Sequence, residues 1–168
     1  DYPYFSSVSQ ALLRHFRESA TSIIADRKLS SEILVIEAAS NDGYMLEVFA
    51  GKGIPVIGVD PAAGPVREAR RKGRETRQEF FGEAFAGALV AEGNRADVFL
   101  ANNILAHVAD PNGFVAGIRA ALKEDGIAVL EFPYLLDLVR TRAFDTIYHQ
   151  HLLYLSVTTV RELFLRNG

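Results

Sequence analysis

The sequence predicts an α/β fold in which helices cover both faces of a parallel sheet. Short apolar runs alternate with helical patterns along most of the chain, and these runs are nearly continuous instead of alternating apolar with polar residues. Buried parallel strands have this character because both of their faces pack against helices. Right-handed crossovers between such strands give a doubly wound, Rossmann-like domain, which is the fold class that we expect.

Each element has its own pattern in the chain. The apolar runs predict five strands, at residues 33–38, 55–59, 76–80, 96–101 and 127–132. The helical patterns among and after them cover residues 44–52, 66–73, 84–92, 114–122 and 157–166. An amphipathic helix over residues 9–25 precedes the sheet, with Ser9 as its predicted N-cap.

The composition is that of one globular domain. The 168 residues are 49% hydrophobic and 23% charged, so a sizeable core is expected and disorder is not. A net charge of -3 gives no general footprint for nucleic acid. We interpret the basic cluster between Arg67 and Arg77 as a solvated helix face, and the absence of cysteine excludes disulfides and thiolate metal sites.

The chain does not begin with methionine, and we expect it to be part of a longer protein. It begins at Asp1 and stops at Gly168 directly after a helical pattern, so we interpret it as a piece of a longer protein, truncated before the last strands of its sheet. Residues 1–30 form a helical lead-in and residues 31–168 the α/β core. Neither a membrane-spanning run nor a signal peptide is evident, so a soluble, cytoplasmic protein without membrane contact is expected.

The predicted ligand site lies at the carboxyl ends of the first, second and fourth strands. The segment from Glu37 to Gly43 leaves the first strand and enters a helix, where backbone N–H groups are free to bind a ligand. Asp60 ends the second strand and can accept both hydroxyls of a ribose. A dinucleotide site needs several glycines beside its pyrophosphate, whereas this loop has one glycine and two carboxylates. These acids suit a ligand with an ammonium and a sulfonium, which favours S-adenosylmethionine over NAD.

The expected cofactor-binding residues follow from this placement. Asn102 and Asn103 end the fourth strand and are expected to hold the amino-acid part of the cofactor. Phe80 or Phe81 can pack on the adenine, although core packing is expected for at least one of them. The full set is Glu37, Ala39, Ser40, Asn41, Asp42, Gly43, Asp60, Pro61, Phe81, Asn102 and Asn103. A plain strand-to-helix turn with an N-cap is the alternative for the Asn41-Asp42-Gly43 part.

Five segments resemble the sugar C-methyltransferases that act on nucleotide-linked keto-deoxysugars. In chain order they are YFSSVS at 4–9, SNDGY at 40–44, ANNILAHV at 101–108, EFPY at 131–134 and FDTIYHQH at 144–151. The resemblance spans nearly the whole chain, and the last segment is its most specific part. It implies a methyltransferase core flanked in the family by an amino-terminal zinc module and a carboxyl-terminal domain, both absent from this chain. It also implies methylation of a small-molecule substrate, at the carbon beside a ketone.

The resemblance implies catalytic roles for histidines and tyrosines. The base is expected to be His151, with supporting roles for His107, Tyr148, Tyr4 and His149. A histidine titrates near neutral pH and suits removal of the proton, and hydroxyl or imidazole donors suit the enolate oxygen. No metal site is expected, because two histidines without a clear third ligand make a weak one.

Two departures from the family leave alternatives open. Gln150 stands where the family usually has glutamate, and an amide cannot raise the basicity of a neighbouring histidine as a carboxylate would. Ala39 stands where methyltransferases more often have glycine, and cofactor binding tolerates the alanine if the backbone keeps a negative φ there. An O- or N-methyltransferase for another small molecule, and a binding module that keeps the fold without activity, are therefore the alternative functions.

Overall fold

The computed structural model describes residues 5–168, and its helices and strands alternate as the sequence predicts. A short 3₁₀ helix at Ser6–Val8 precedes the first long helix. The strands are β1 (Val35–Ala38), β2 (Val56–Val59), β3 (Thr76–Arg77), β4 (Ala96–Asn102) and β5 (Leu122–Glu131). The helices are α1 (Gln10–Arg27), α2 (Leu46–Ala50), α3 (Ala63–Arg71), α4 (Glu83–Ala91), α5 (Pro111–Ala121), α6 (Leu135–Thr141) and α7 (Val157–Arg166).

The five strands form one parallel sheet in the order β3-β2-β1-β4-β5. The chain moves from β1 outward to β3 and then returns to the other side of β1 with β4. The strand order therefore reverses between β1 and β4, where Ala38 lies opposite Ala101. This topology confirms the Rossmann-like fold class, and it places a crevice at the carboxyl ends of these two central strands.

The core lies on both faces of the sheet. On one face, Ile36 and Phe99 pack with buried residues of α4 and α5. On the other, Val98 and Leu100 pack with residues of α1 and α2 such as Phe16. Successive residues of β4 thus enter opposite cores, which explains why its sequence is continuously apolar.

The helix ends show how local sequence sets the boundaries. Ser9 accepts a hydrogen bond from the backbone N–H of Leu12 at 3.4 Å, which confirms it as the N-cap of α1. Asp110 caps α5 through the N–H of Gly113 at 3.0 Å, directly before Pro111. The α5 helix begins earlier than predicted, because proline is well placed in a first helical turn.

Two elements are shorter than predicted. The β3 ladder has only two residues, since its partner β2 ends at Val59 and the following Asp60-Pro61 leaves the sheet. The α2 helix is limited to Leu46–Ala50, because a turn rather than a helix follows β1. At the other edge of the sheet, residues 127–130 of β5 are only partly buried. Within residues 5–168, none of the helices combines the length and apolar character needed to cross a membrane.

Candidate functional site

A cleft of about 620 Å³ opens at the carboxyl edge of the sheet, at the point where the strand order reverses. Five separate parts of the chain meet in it: Ser6 near the amino terminus, the turn after β1, the turn after β2, the end of β4, and the segment after α6. Its walls are formed by Ser6, Ala39, Asn41, Tyr44, Asp60, Pro61, Ala62, Asn102, Asn103, Ile104, His107, Tyr148, His149, Gln150, His151 and Leu152. The structure thus brings most of the predicted cofactor-binding and catalytic residues to one cleft.

The cofactor loop (residues 39–43) joins β1 to the turn before α2 in a strained backbone conformation. Ala39, Asn41 and Gly43 have φ values of 55°, 50° and 75°. The condition of a negative φ at Ala39 is therefore not met. The turn folds back so that the N–H of Ser40 donates to the carbonyl of Val59 at 3.2 Å, and the N–H of Gly43 to that of Ser40 at 2.9 Å. An alanine in the left-handed region costs roughly 1–2 kcal/mol, which the neighbouring hydrogen bonds offset.

Asp60 connects the turns after β1 and β2. One carboxylate oxygen accepts from the N–H of Asn41 at 3.0 Å and the other from the N–H of Ala62 at 2.8 Å. Burial raises the pKa of Asp60, and these two backbone donors oppose the increase. Each oxygen keeps a second lone pair, so the carboxylate can still accept ribose hydroxyls from the cleft.

Glu37 is a buried acid beside the cofactor loop. Its pKa is raised to about 8: burial is the main cause, the charges of Asp60 and Asp42 add to the increase, and a hydrogen bond from Asn102 opposes it. The amide of Asn102 donates to one carboxyl oxygen at 3.2 Å, while the other has no hydrogen-bond partner among the described residues. The group is therefore mainly protonated at neutral pH. It fits a cationic ligand, since a nearby ammonium would favour the ionised form.

Asp42 and Ser40 occupy the interior of the cofactor loop. Both side chains are fully buried. Oδ2 of Asp42 accepts hydrogen bonds from the hydroxyl of Ser7 and from the ammonium of Lys72, which lies 3.1 Å away. A direct contact of Asp42 or Ser40 with the cofactor stays a prediction.

Asn103 is held by residues that the sequence analysis did not assign to the site. Its φ is 53°, its N–H donates to the carbonyl of Glu131 at 2.7 Å, and its amide donates to the Glu131 carboxylate at 2.7 Å. The other oxygen of that carboxylate pairs with His15 of α1. The sequence contains a signal for Glu131, since it is a carboxylate at the end of β5, next to the end of β4. It contains no signal for His15, which is 116 residues away from Glu131.

The histidines and tyrosine of the last resembling segment converge on the cleft. The segment after α6 is fixed to the 3₁₀ helix Leu105–His107, because the N–H groups of Leu152 and Leu153 both donate to the carbonyl of Ala106. The rings of His107 and His151 are consequently 4.9 Å apart, centre to centre. His149 also lines the cleft, with its ring 6.2 Å from that of Tyr148.

The hydrogen bonds of His151 indicate the tautomer of its neutral ring. Its Nδ1 lies 2.8 Å from the carbonyl oxygen of Thr146, and its Nε2 lies 3.1 Å from the hydroxyl of Tyr148. A carbonyl only accepts, so the proton is assigned to Nδ1 and the lone pair to Nε2 in the neutral ring. Burial lowers the pKa of His107, the charge of His151 lowers it further, and a backbone hydrogen bond with Gln150 raises it. His107 is therefore neutral at neutral pH.

Of the remaining predicted residues, Phe81 lies beside a second cleft and Tyr4 lies outside the described part of the chain. Phe81 packs against Phe99 and Phe114, with ring centres 4.7 and 5.5 Å apart, so it belongs to the core; it also lines a second cleft of about 970 Å³. That cleft adjoins the first at Pro61 and His107. Tyr4 lies outside residues 5–168. In the described part of the chain, no group of three or more acidic or histidine side chains is arranged to hold a metal ion.

Comparisons with known proteins agree with this geometry. Residues 10–168 match a family model described as a methyltransferase domain. The C-methyltransferase NovU of Streptomyces niveus is 31% identical over 167 residues, which are 99% of this chain and 40% of that protein. A ubiquinone biosynthesis O-methyltransferase of Azorhizobium caulinodans is 29% identical over 124 residues, 73% of this chain and 47% of that protein. The chain thus spans less than half of each relative.

A solved structure shares the fold. The SAM-dependent methyltransferase from Archaeoglobus fulgidus superimposes with a TM-score of 0.67 at 18% identity, over 90% of this chain and 68% of that one. The parallel sheet, the crevice and the glycine-poor loop define a methyltransferase that uses S-adenosylmethionine. The chain belongs to the methyltransferase domain family. The choice of S-adenosylmethionine over NAD, made from the glycines and acids of the loop, is thereby confirmed.

Proposed function

We propose that the protein methylates the carbon next to a ketone on a nucleotide-linked deoxysugar. The observation that carries the proposal is the pair of Tyr148 and His151, held beside His107 in the same cleft as Asp60 and Asn102. A methyltransferase acting on an oxygen or nitrogen needs at most one base. A carbon acid needs both a base and donors for the enolate oxygen that forms.

The cofactor is expected to occupy the side of the cleft nearest β1 and β2. Asp60 would accept the ribose hydroxyls, and the carboxyl of Glu37 and the amide of Asn102 would face the amino-acid part. When bound, S-adenosylmethionine supplies an electrophilic methyl group. The unpartnered buried oxygen of Glu37 supports this orientation, because the ammonium of the cofactor would provide its missing partner.

The substrate is expected to lie between the cofactor and the residues after α6. The bound substrate would displace the hydroxyl of Tyr148 from Nε2 of His151, and the freed lone pair would take the proton from the sugar carbon, so that the electron pair of the broken C–H bond forms the enolate. The released hydroxyl can then donate to the enolate oxygen, together with the neutral ring of His107. The enolate carbon would finally take the methyl group, while the electron pair of the broken S–C bond stays on the sulfur and S-adenosylhomocysteine leaves. Roles for His149 and Tyr4 remain predictions.

The replacement of glutamate by Gln150 fits a base that is oriented by uncharged groups. The carbonyl of Thr146 holds Nδ1 of His151, and a backbone hydrogen bond joins Gln150 to His107. The two rings are therefore oriented without a carboxylate at position 150. Under this proposal, Gln150→Glu changes the pH dependence of turnover more than the geometry of the cleft.

Exchange of the substrate proton tests the proposal directly. In deuterium oxide with S-adenosylhomocysteine and a nucleotide-linked keto-deoxysugar, deuterium should enter the carbon next to the ketone. His151→Ala should abolish this exchange, and Ser22→Ala, an exposed residue of α1 outside the cleft, serves as the control. Retention of exchange in His151→Ala would eliminate this residue as the base.

An O-methyltransferase is the second candidate function. It is favoured by the match to ubiquinone biosynthesis O-methyltransferases, which covers 124 residues against 167 for the C-methyltransferase. Its distinguishing requirement is a hydroxyl nucleophile, which needs no enolate. Methyl transfer to a substrate that lacks any exchangeable C–H next to a ketone would establish it.

A further inference from the structure

The amino-terminal segment (residues 5–8) is attached to the cofactor loop by two consecutive hydrogen bonds. The N–H of Ser6 donates to the side-chain carbonyl oxygen of Asn41 at 2.9 Å. The hydroxyl of Ser7 donates to the carboxylate of Asp42. These residues are separated by 35 positions in the chain, so the contacts are tertiary and do not follow from the local fold of either segment.

The Asp42 carboxylate is the centre of these contacts. It is fully buried, and its Oδ2 receives Ser7 from the amino-terminal segment and Lys72 from the end of α3. The ammonium of Lys72 lies 3.1 Å away and is itself 26% exposed. A buried carboxylate requires such donors, because an unpaired charge in the interior is strongly unfavourable. Oδ2 is therefore engaged by protein groups, whereas Oδ1 is buried without a hydrogen-bond partner among the described residues.

Two of the residues in these contacts, Ser6 and Asn41, also line the cleft. Ser6 forms part of the cleft wall together with Asn41, Asp60 and Asn102. Asn41 both accepts from Ser6 through its side chain and donates its N–H to Asp60. The amino-terminal segment, the cofactor loop and the acid at the end of β2 thus form one hydrogen-bonded unit.

We propose that Asp42 is a positioning residue which fastens the amino-terminal segment to the cofactor loop, so that cofactor binding and the ordering of this segment depend on each other. The proposal rests on S-adenosylmethionine being the cofactor and is independent of the methylated substrate. Coupling of this kind is reciprocal: if the segment strengthens cofactor binding by a given factor, the cofactor stabilises the docked segment by the same factor.

Ser7→Ala in the full chain tests the coupling, because it removes one donor to Asp42 and leaves the ion pair with Lys72 intact. We expect S-adenosylhomocysteine, titrated by calorimetry, to bind about 5- to 20-fold more weakly, the range for partial loss of a hydrogen bond to a charged group. Ser7→Thr keeps the hydroxyl and should restore binding. Ser22→Ala, an exposed serine on α1, is the matched control and should bind as the wild type does.

Hydrogen exchange provides the readout that a purely structural role would not change. S-adenosylhomocysteine should slow exchange at the amides of residues 6–9 in the wild type and in Ser7→Thr, and much less in Ser7→Ala. The lost protection factor and the lost affinity should agree, as reciprocity requires. Wild-type affinity and wild-type protection in Ser7→Ala would overturn the proposal.

Asp42→Asn separates positioning from direct contact with the cofactor. The amide keeps an oxygen that can accept from Ser7, whereas the ion pair with Lys72 is lost. Reduced affinity together with reduced protection of the segment supports the proposal. Reduced affinity with full protection of the segment at saturating ligand would contradict it and make Asp42 a direct ligand. If this variant does not fold, the Ser7 variants decide the question alone.

Discussion

Replacing Glu37 by glutamine should remove a large part of the pH dependence of folding stability. The carboxyl is fully buried at the end of β1, and its pKa is raised from 4.5 to about 8. In the unfolded chain it ionises near its ordinary pKa, so the folded state binds one proton more between these two values. Stability from this group is therefore fully present below pH 4.5 and is lost as the pH rises toward 8.

The magnitude follows from the width of this window. Each pH unit inside it changes the free energy of unfolding by about 1.4 kcal/mol. Raising the pH from 5.5 to 7.5 should thus cost the wild type roughly 2–3 kcal/mol through Glu37 alone. Glutamine keeps the oxygen that accepts from Asn102 but does not titrate. Its buried NH₂ group adds a penalty of roughly 1–3 kcal/mol that does not vary with pH.

Urea denaturation followed by circular dichroism at both pH values measures the effect. The quantity to compare is the free energy of unfolding of Glu37→Gln minus that of the wild type, because the titration of other groups cancels in this difference. It should increase by roughly 2–3 kcal/mol from pH 5.5 to 7.5. A difference that is the same at both pH values would refute the assignment of Glu37 as a protonated acid at neutral pH.

Four further predictions concern the cofactor, the histidine pair and the packing of the helices. Asp60→Ala should weaken S-adenosylmethionine binding by about 1.5–3 kcal/mol, measured by calorimetry, and unchanged affinity in a folded variant would exclude a ribose contact. His151→Phe should raise the pKa of His107 in an NMR titration, since the electrostatic interaction with His151 that lowers it is removed; a fall would contradict the described electrostatics. Gly117→Ala should destabilise the fold by about 1–3 kcal/mol, because a Cβ would lie 2.8 Å from a backbone carbon at the start of α4. Gly87→Ala, with open space in α4, should stabilise it by about 0.5–1 kcal/mol in the same urea assay.

The sheet could be predicted from the sequence because its signals are local. Near-continuous apolar runs mark strands buried on both faces, and an acid or amide directly after a strand marks the carboxyl edge. Asp60, Asn102 and Asn103 were placed in this way, and the cleft contains all three. Ser9 was identified as a helix cap because its effect depends on only the next few residues.

The parts that were wrong or missing depend on contacts between distant segments. The positive φ of Ala39 results from the hydrogen bond of Ser40 to β2, which a reading of the loop alone does not contain. The support of Asn103 by Glu131 and His15 joins three elements, and its geometry appears only when β5 is placed next to β4. Lys72 belongs to the basic cluster that we interpreted as a solvated helix face. Its ion pair with Asp42 could not be predicted for the same reason.

The position of the transferred methyl group tests the central claim most directly. The protein is incubated with a nucleotide-linked keto-deoxysugar and S-adenosylmethionine that carries ¹³C in its methyl group, and the product is examined by NMR. The account predicts a methyl carbon bonded to the sugar carbon adjacent to the ketone, formed by the wild type and lost in His151→Ala. A methyl group bonded to oxygen, or full formation of the carbon-bonded product by His151→Ala, would contradict it.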